Sequence, residues 1–311
     1  MQKKLLSIVT PTYNEIYNLE SLLDSIIEVI APLKQYEFEI IVIDNCSSDG
    51  TQEKIREIAG NDARIKAIFN VRNFGHIRSP YYGILQSNGI ATIYLASDFQ
   101  DPPDLIPKFI EEWEKGWKLV MAVKPVSKSS PLMHFLRKHY YKFLDNISDI
   151  QILKDATGFG MYDKKIIEHL KEINDPYPFL RGIICELGYP IKSIPFIQPR
   201  RLGGITKNNF YTLLDIAMLG LVSHSKVPIR VASIFGFLLG SVSFLIAIYF
   251  LVMKLIFWDS YPLGSSPVLI GLFLMFGVLL FFIGVLGEYI GSIHTHIRKR
   301  PIVVEKERIN F

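Results

Sequence analysis

The sequence predicts an α/β protein built on a doubly wound sheet. Short apolar runs alternate with amphipathic stretches through the first half, polar clusters follow three of those runs, and two long uncharged apolar segments lie toward the C-terminus. Residues 5–10 form the first apolar run and read as a buried strand that ends in Pro11-Thr12-Tyr13-Asn14-Glu15. Leu19, Leu22, Leu23, Ile26, Ile27 and Ile30 follow at three-to-four spacing, the period of a helix with one apolar face. Residues 38–43 are the second strand, leading into "DNCSSDGT", Asp44 to Thr51. Residues 65–69 are the third, with Arg72-Asn73-Phe74-Gly75-His76 behind it. Residues 90–95 are the fourth, followed by "ASDFQDPP" from Ala96, and residues 119–123 are the fifth. Ligands of such sheets gather outside the carboxyl ends of the strands, near the point where strand order reverses. The clusters after the first, second and fourth strands therefore predict one shared site.

The mean hydropathy of +0.25 points to a membrane segment. Residues 231–253 and 268–287 carry no charge and are each about the 20 residues a bilayer core requires, which predicts two transmembrane helices. Lys226 and Arg230 precede the first and Arg298, Lys299 and Arg300 follow the second, while the connector 255–267 has no Lys or Arg. By the positive-inside rule both chain ends face the cytosol. Residues 209–227 show a helical apolar period; they read as a helix along the membrane interface or as one packed under the catalytic domain. The expected division is a catalytic unit 1–206, juxtamembrane helices 207–230, a membrane unit 231–290 and a C-terminal tail 291–311, all in a plasma-membrane, multi-pass protein. No signal peptide is expected, because the N-terminus lacks a long apolar region and a cleavage site. Cys46 and Cys185 have neither zinc nor redox-motif spacing. A net charge of +4 gives no basis for nucleic-acid binding, and a dinucleotide-binding dehydrogenase is excluded because no G-x-G-x-x-G follows the first strand.

Each cluster carries a chemical reading and a plainer one. Asp44 at a strand end can accept from a nucleoside's base or ribose hydroxyls, whereas Asp49 reads equally as a ligand or as part of a turn and helix cap. Asp98 offers the hard oxygen that Mg²⁺ or Mn²⁺ prefers, with water and diphosphate oxygens completing the shell. Asp101-Pro102-Pro103-Asp104 reads as a cap and proline start for the helix through Ile106 to Trp113. Arg72 holds a diphosphate or packs the floor of the site. His76, His294 and His296 lack metal-ligand spacing and read as structural or surface residues. In "RRLGGITKNN", from Arg200, cations on a flexible Gly-Gly turn can clamp a phosphate or rest on lipid head groups.

Taken in order, "IVTPTYNE", "VIDNCSSDGT", "RNFG", "SDFQDPP", "DATGFGMYDKK", "RLGGITK" and "GEYIG…RKRP" resemble the family 2 glycosyltransferases that charge polyprenyl phosphate, of the dolichol-phosphate mannosyltransferase-like and undecaprenyl-phosphate glucosyltransferase-like types. The resemblance implies a GT-A-type (Rossmann-like) fold and inverting transfer from a nucleotide sugar to polyprenyl phosphate, for cell-envelope glycan modification. It sets Pro11, Tyr13 and Glu15 beside Asp44 around the nucleoside, with Arg72 and Gln100 also on the donor. It matches Asp98 to the metal-binding end of Asp-x-Asp, Arg201 and Lys207 to the acceptor-phosphate motif, and Asp155 to the catalytic base. The cofactor implied is Mg²⁺ or Mn²⁺. The partners implied are a UDP-sugar in preference to a GDP-sugar, polyprenyl phosphate and the membrane, with a flippase and a homo-oligomer as further candidates. Two departures stand out: Ala96 occupies the place of the first Asp of Asp-x-Asp, and Asn45 that of a frequent second Asp after the second strand. A nucleotide-binding scaffold without activity, and a transferase to another lipid or to a polymer, are the alternatives.

Overall fold

The computed structural model describes residues 3–124, 153, 156–199, 218–220, 222, 225, 227–257, 265–298 and 300–311. Asp155, Arg201 and Lys207, and most of the expected juxtamembrane segment, lie outside the described residues.

Eight strands form one mixed sheet: β1 (Lys4–Thr12), β2 (Tyr36–Asp44), β3 (Ile65–Asn70), β4 (Ala91–Tyr94), β5 (Leu119–Val123), β6 (Ala156–Asp163), β7 (Ile191–Pro195) and β8 (Glu305–Ile309). Their order is β7-β5-β6-β4-β1-β2-β3-β8. β1 to β4 run parallel; β6 is antiparallel to both β4 and β5, and β8 is antiparallel to β3. The five strands expected from apolar runs all form. Both faces are covered, which is why those runs are continuous rather than alternating. Leu6, Ile8, Ile40 and Val42 pack against α1 (Ile16–Ile30), α2 (Thr51–Asn61) and α4 (Ile106–Glu114). Val9, Ile41, Ile43 and Ile68 pack on the other face, against α3 (Gly75–Leu85), α5 (Lys164–Ile173) and α6 (Leu180–Glu186). The result is a three-layered, Rossmann-like α/β domain, as the sequence predicts.

Away from the loops that follow the strands, a buried glutamate of the sheet is ion-paired. Glu39, 2% exposed in β2, accepts from Ser7 Oγ at 2.5 Å, Asn88 N at 2.7 Å and Lys66 Nζ at 2.6 Å. Burial by itself would raise its pKa, but the bonds from Lys66, Ser7 and Asn88 together outweigh burial and hold it below the ordinary value. The fold thus favours the ionised form, and the stability this gives at neutral pH is lost as pH falls through and below the usual glutamate range. Glu39→Gln is expected to cost about 2 kcal/mol at pH 7 and to flatten the acid side of a stability-against-pH profile, read from urea midpoints.

Two long apolar helices follow, α7 (Val227–Ile256) and α8 (Ser265–Ile297). They meet at Phe235 and Phe282, whose rings are 6.3 Å apart, while Phe237, Leu245, Leu280 and Phe281 face outward. Among the described residues one stretch, Met275–Ile297, is long and apolar enough to cross a membrane; Val227–Leu239 is a shorter apolar helix. The chain then returns to the sheet as β8, which the sequence gives no sign of, because "EKERI" is mostly charged. Arg56 grips Glu307 Oε2 through Nε (3.2 Å) and Nη2 (2.9 Å), and Asn310 Nδ2 donates to Ala59 O at 2.7 Å and Ile65 O at 2.9 Å. The helical hairpin therefore leaves from and returns to the same domain.

Candidate active site

Strand order reverses at β1, which has β2 and β3 on one side and β4 on the other. This is the switch point where a doubly wound sheet opens a crevice. Thr12 is in register with Asp44, and Val9 with Tyr94. Asn45 N donates to Thr12 O at 2.9 Å and Leu95 N to Val9 O at 3.1 Å, so the loops after β1, β2 and β4 leave the sheet side by side.

The first two loops are laced together. Asn14 N donates to Ser47 Oγ at 2.8 Å, Ser48 N to Asn14 Oδ1 at 2.8 Å, and Glu15 N to Thr51 Oγ1 at 3.1 Å. Asp49 accepts from Ile16 N at 3.2 Å and Thr51 N at 3.1 Å, which makes it a brace between loops. Pro11 closes β1 half-buried beside Ile43, Tyr13 is half-buried, and Glu15 is buried with Oε2 accepting from Asn18 Nδ2 at 2.7 Å. Sequence reasoning passed over Asn14, Ser47, Thr51 and Gln52. Their only signal was the ordinary preference of Ser, Thr and Asn for turns.

Asp44 is fully buried at the end of β2. Its Oδ2 accepts from Ser47 N at 3.0 Å and Gln52 Nε2 at 2.8 Å, whereas Oδ1 is buried with no hydrogen-bond partner among the described residues. Burial raises its pKa, and the bonds from Ser47 and Gln52 only partly offset that. A buried acceptor left bare costs about 1–3 kcal/mol, a deficit that a ligand N–H or O–H removes. Thr12 Oγ1, next to it in register, is likewise buried and without a partner among the described residues.

Asn45 explains its own departure from the family pattern. Its Nδ2 donates to Asn73 Oδ1 at 2.8 Å and Gly75 O at 3.2 Å, and its Oδ1 accepts from Phe74 N at 2.8 Å and Asn70 Nδ2 at 3.1 Å. An aspartate is acceptor-only when ionised and cannot make the first two. The amide therefore holds the loop after β3 against the end of β2. Arg72 on that loop is exposed, its guanidinium 4.1 Å over the Phe74 ring and its Nη1 donating to Asn73 O at 3.1 Å.

In the loop after β4, Asp98 is half-buried and its Oδ1 accepts from the backbone N of Gln100 at 3.2 Å. Asp101 is buried and accepts from Ala96 N at 3.0 Å, which folds the loop back on itself. It does not cap the following helix: a 3-10 turn, Pro103–Leu105, precedes α4, with Pro102 in the cap position and no side-chain cap. Burial, reinforced by the Asp98 charge, pushes the Asp101 carboxyl up to about 7 against the pull of the Ala96 bond. Asn14 (φ +55°), Cys46 (φ +63°) and Phe99 (φ +59°) put one non-glycine residue in the left-handed region in each of the three loops. Local strain of about 1 kcal/mol or more apiece collects where the loops converge. Among the described residues no group of three or more His, Cys, Asp or Glu side chains could hold a metal ion by itself.

Residues 7–171 match the family described as "Glycosyl transferase family 2", just over half of the chain. The "Uncharacterized glycosyltransferase YkcC" of Bacillus subtilis (strain 168) is 32% identical over 302 residues, 96% of this chain and 92% of that one. The SfII prophage-derived bactoprenol glucosyl transferase of Shigella flexneri is 30% identical over 303 residues, 97% of each chain. A prophage bactoprenol glucosyl transferase homolog of Escherichia coli (strain K12) is 29% identical over 302 residues, 97% of this chain and 98% of that one. Matched by the family over the switch-point loops and similar to these proteins almost from end to end, the chain belongs to glycosyl transferase family 2.

Proposed function

We propose that this glycosyltransferase moves a sugar from a nucleotide-sugar donor, a UDP-sugar in preference to a GDP-sugar, to polyprenyl phosphate, giving a lipid-linked monosaccharide for the cell envelope. The observation that carries this reading is the 30% identity to a bactoprenol glucosyl transferase over 97% of both chains, a span that includes the helical hairpin as well as the sheet. An oxygen of the acceptor phosphate attacks the anomeric carbon from the face opposite the nucleoside diphosphate. The new C–O bond forms as the bond to the β-phosphate oxygen breaks, and the electron pair leaves with the diphosphate, so the carbon inverts. That oxygen is already anionic, so positioning and charge neutralisation supply most of the rate.

In this reading Asp44 accepts from the nucleoside through its bare Oδ1, with Pro11, Tyr13 and Glu15 around the base and ribose. Arg72 and Gln100 lie toward the diphosphate, Arg201 and Lys207 hold the acceptor phosphate, and Asp155 orients the acceptor or takes any residual proton. A bound Mg²⁺ or Mn²⁺ would neutralise the leaving diphosphate. The donor set fits such an ion only as a shared one: Asp98 and Gln100 supply protein oxygens, Asp101 is tied to Ala96 N, and substrate and water must complete the shell. The hairpin is read as two membrane crossings. Helices of 30 and 33 residues are each longer than the ~30 Å hydrocarbon core, at about 1.5 Å per residue, and the returning strand β8 keeps both ends on the cytosolic side with the catalytic domain.

A ligand donating to Asp44 Oδ1 binds the carboxylate, so UDP affinity should rise as pH passes upward through the raised Asp44 pKa. Asp44→Asn should weaken UDP binding by about tenfold or more and remove that pH dependence, as titration calorimetry would record. The reaction itself is tested by transfer of radiolabelled sugar from a panel of nucleotide sugars to undecaprenyl phosphate in membranes, with and without EDTA. Lipid-linked product that disappears with EDTA is expected. No such product from any donor would favour the inactive scaffold that Ala96 brings to mind.

A further inference from the structure

A cavity of about 320 Å³ lies beside the loop after β4, on the face of the sheet opposite α1, and none of the donor-side residues lines it. Its walls are His76 and Ile77 from α3, Tyr94 at the end of β4, Thr157 from the start of β6, and Leu180 and Arg181 from α6. Gly158, whose φ of +97° favours glycine, lies beside the Tyr94 ring, and Tyr162 Oη donates to Gly158 O at 2.5 Å, which fixes the inner wall. Arg181 is anchored by Nη1 donating to Ala156 O at 3.0 Å and by its guanidinium lying 5.3 Å from the Phe179 ring centroid. Arg78, on α3, stands 5.3 Å over the Tyr177 ring and adds a second guanidinium behind the same loop. Among the described residues the lining thus includes a fixed guanidinium and an imidazole among apolar groups, and no carboxylate. That chemistry suits an anion with an apolar tail.

The loop 175–179 joins this cavity to the hairpin. His296 Nε2 of α8 is 3.4 Å from Asp175 Oδ1, and Tyr177 N donates to Asp175 Oδ1 at 2.8 Å. On the far side of the loop Tyr177 lines a second cavity of about 280 Å³, closed by Met218, Leu219 and Val222 and by Gly291 and Thr295 of α8. The first cavity is lined by Tyr94, at the end of β4, and by Pro178 and Phe179, and the second by Tyr177 and α8, so the 175–179 loop contributes to both.

We infer that the first cavity seats the phosphate of the lipid acceptor, with Arg181 as its fixed cation and His76 at its mouth, and that the isoprenoid chain leaves over the 175–179 loop toward α8. This rests on the proposed function and adds residues on α3, β4, β6 and α6 to the Arg201 and Lys207 assigned there to the same phosphate. Binding is measured by calorimetry on the full chain in detergent, with farnesyl phosphate, farnesol and inorganic phosphate as probes and UDP as a control for folding. Farnesyl phosphate should bind at least about tenfold more tightly than either farnesol or inorganic phosphate, because both the charge and the tail are used. Arg181→Ala should weaken it about tenfold or more, Arg181→Lys should restore part of the loss, and UDP binding should not change. Ile77→Trp, which fills the cavity and keeps the Arg181 side chain, should give the same selective loss; it decides the matter if the Arg181 variants fail to fold. In turnover the acceptor KM rises in these variants and the donor KM stays. Unchanged farnesyl phosphate affinity in folded Arg181→Ala and Ile77→Trp, or inorganic phosphate binding as tightly as farnesyl phosphate, overturns the inference. A wild-type protein that binds farnesyl phosphate through Arg181 yet makes no lipid product from any donor would instead count against the proposed reaction alone.

Discussion

Asp98→Asn is expected to abolish sugar transfer, by about a thousandfold or more, while the protein folds as before. The fold is spared because Asp98 is half-buried and its Oδ1 accepts from Gln100 N at 3.2 Å, a bond an asparagine oxygen can also accept. What the substitution removes is the negative charge. Ala96 leaves the loop without the first carboxylate of the family pattern, and Asp101 is held on Ala96 N with a pKa pushed up to about 7, so neither substitutes for Asp98. Turnover with the best donor and a thermal melt on the same sample check the two halves of the expectation. Retained turnover would remove Asp98 from the diphosphate and its cation. A matching loss of melting temperature would instead make the residue structural. Asp101→Ala makes a useful contrast, because it removes the acceptor for Ala96 N and should disturb the loop and the melt more than Asp98→Asn does.

The largest stability effect is expected at Gly160. It sits in β6 between β5 and β4, paired with Met121 on one side and Tyr94 on the other. A Cβ there would lie 2.3 Å from Val120 O and 3.0 Å from Met121 Cα, both backbone atoms of a neighbouring strand. No side-chain rotation relieves such a contact; the strands must part. Gly160→Ala should therefore cost about 3 kcal/mol or more, out of the roughly 5–15 kcal/mol that holds a typical domain. Gly60 in α2 is the control, since nothing lies within 4 Å of a Cβ built on it. There Gly→Ala should stabilise by about 0.5–1 kcal/mol, because alanine loses less backbone entropy in a helix. Equal melting temperatures for the two variants would show that β6 can yield.

The five strands that read clearly in the sequence are those buried on both faces, because a continuous run of Ile, Leu and Val carries its own signal. The three that did not read are of another kind. β6 is broken by two glycines that close packing demands, β7 is short, and β8 is a charged edge strand whose pairing is decided by β3 and by Arg56 meeting Glu307 some 250 residues away in the chain. The site divides along the same line. Asp44 and Asp98 stood out as candidates because a carboxylate at the end of an apolar strand has few structural reasons to be there, and the structure places them at the end of β2 and in the loop after β4.

By itself, then, the sequence determined the doubly wound sheet, its switch-point loops, the apolar hairpin segments and the family. Only the tertiary structure decided that Asp49 is a brace and that Asn45 is an amide because it must donate to one loop while accepting from another. It also left Asp44 with a bare acceptor oxygen and brought the tail back to the sheet. Apolar periodicity is written in neighbouring residues, whereas the partner of a buried polar atom comes from whichever strand or loop the fold brings beside it.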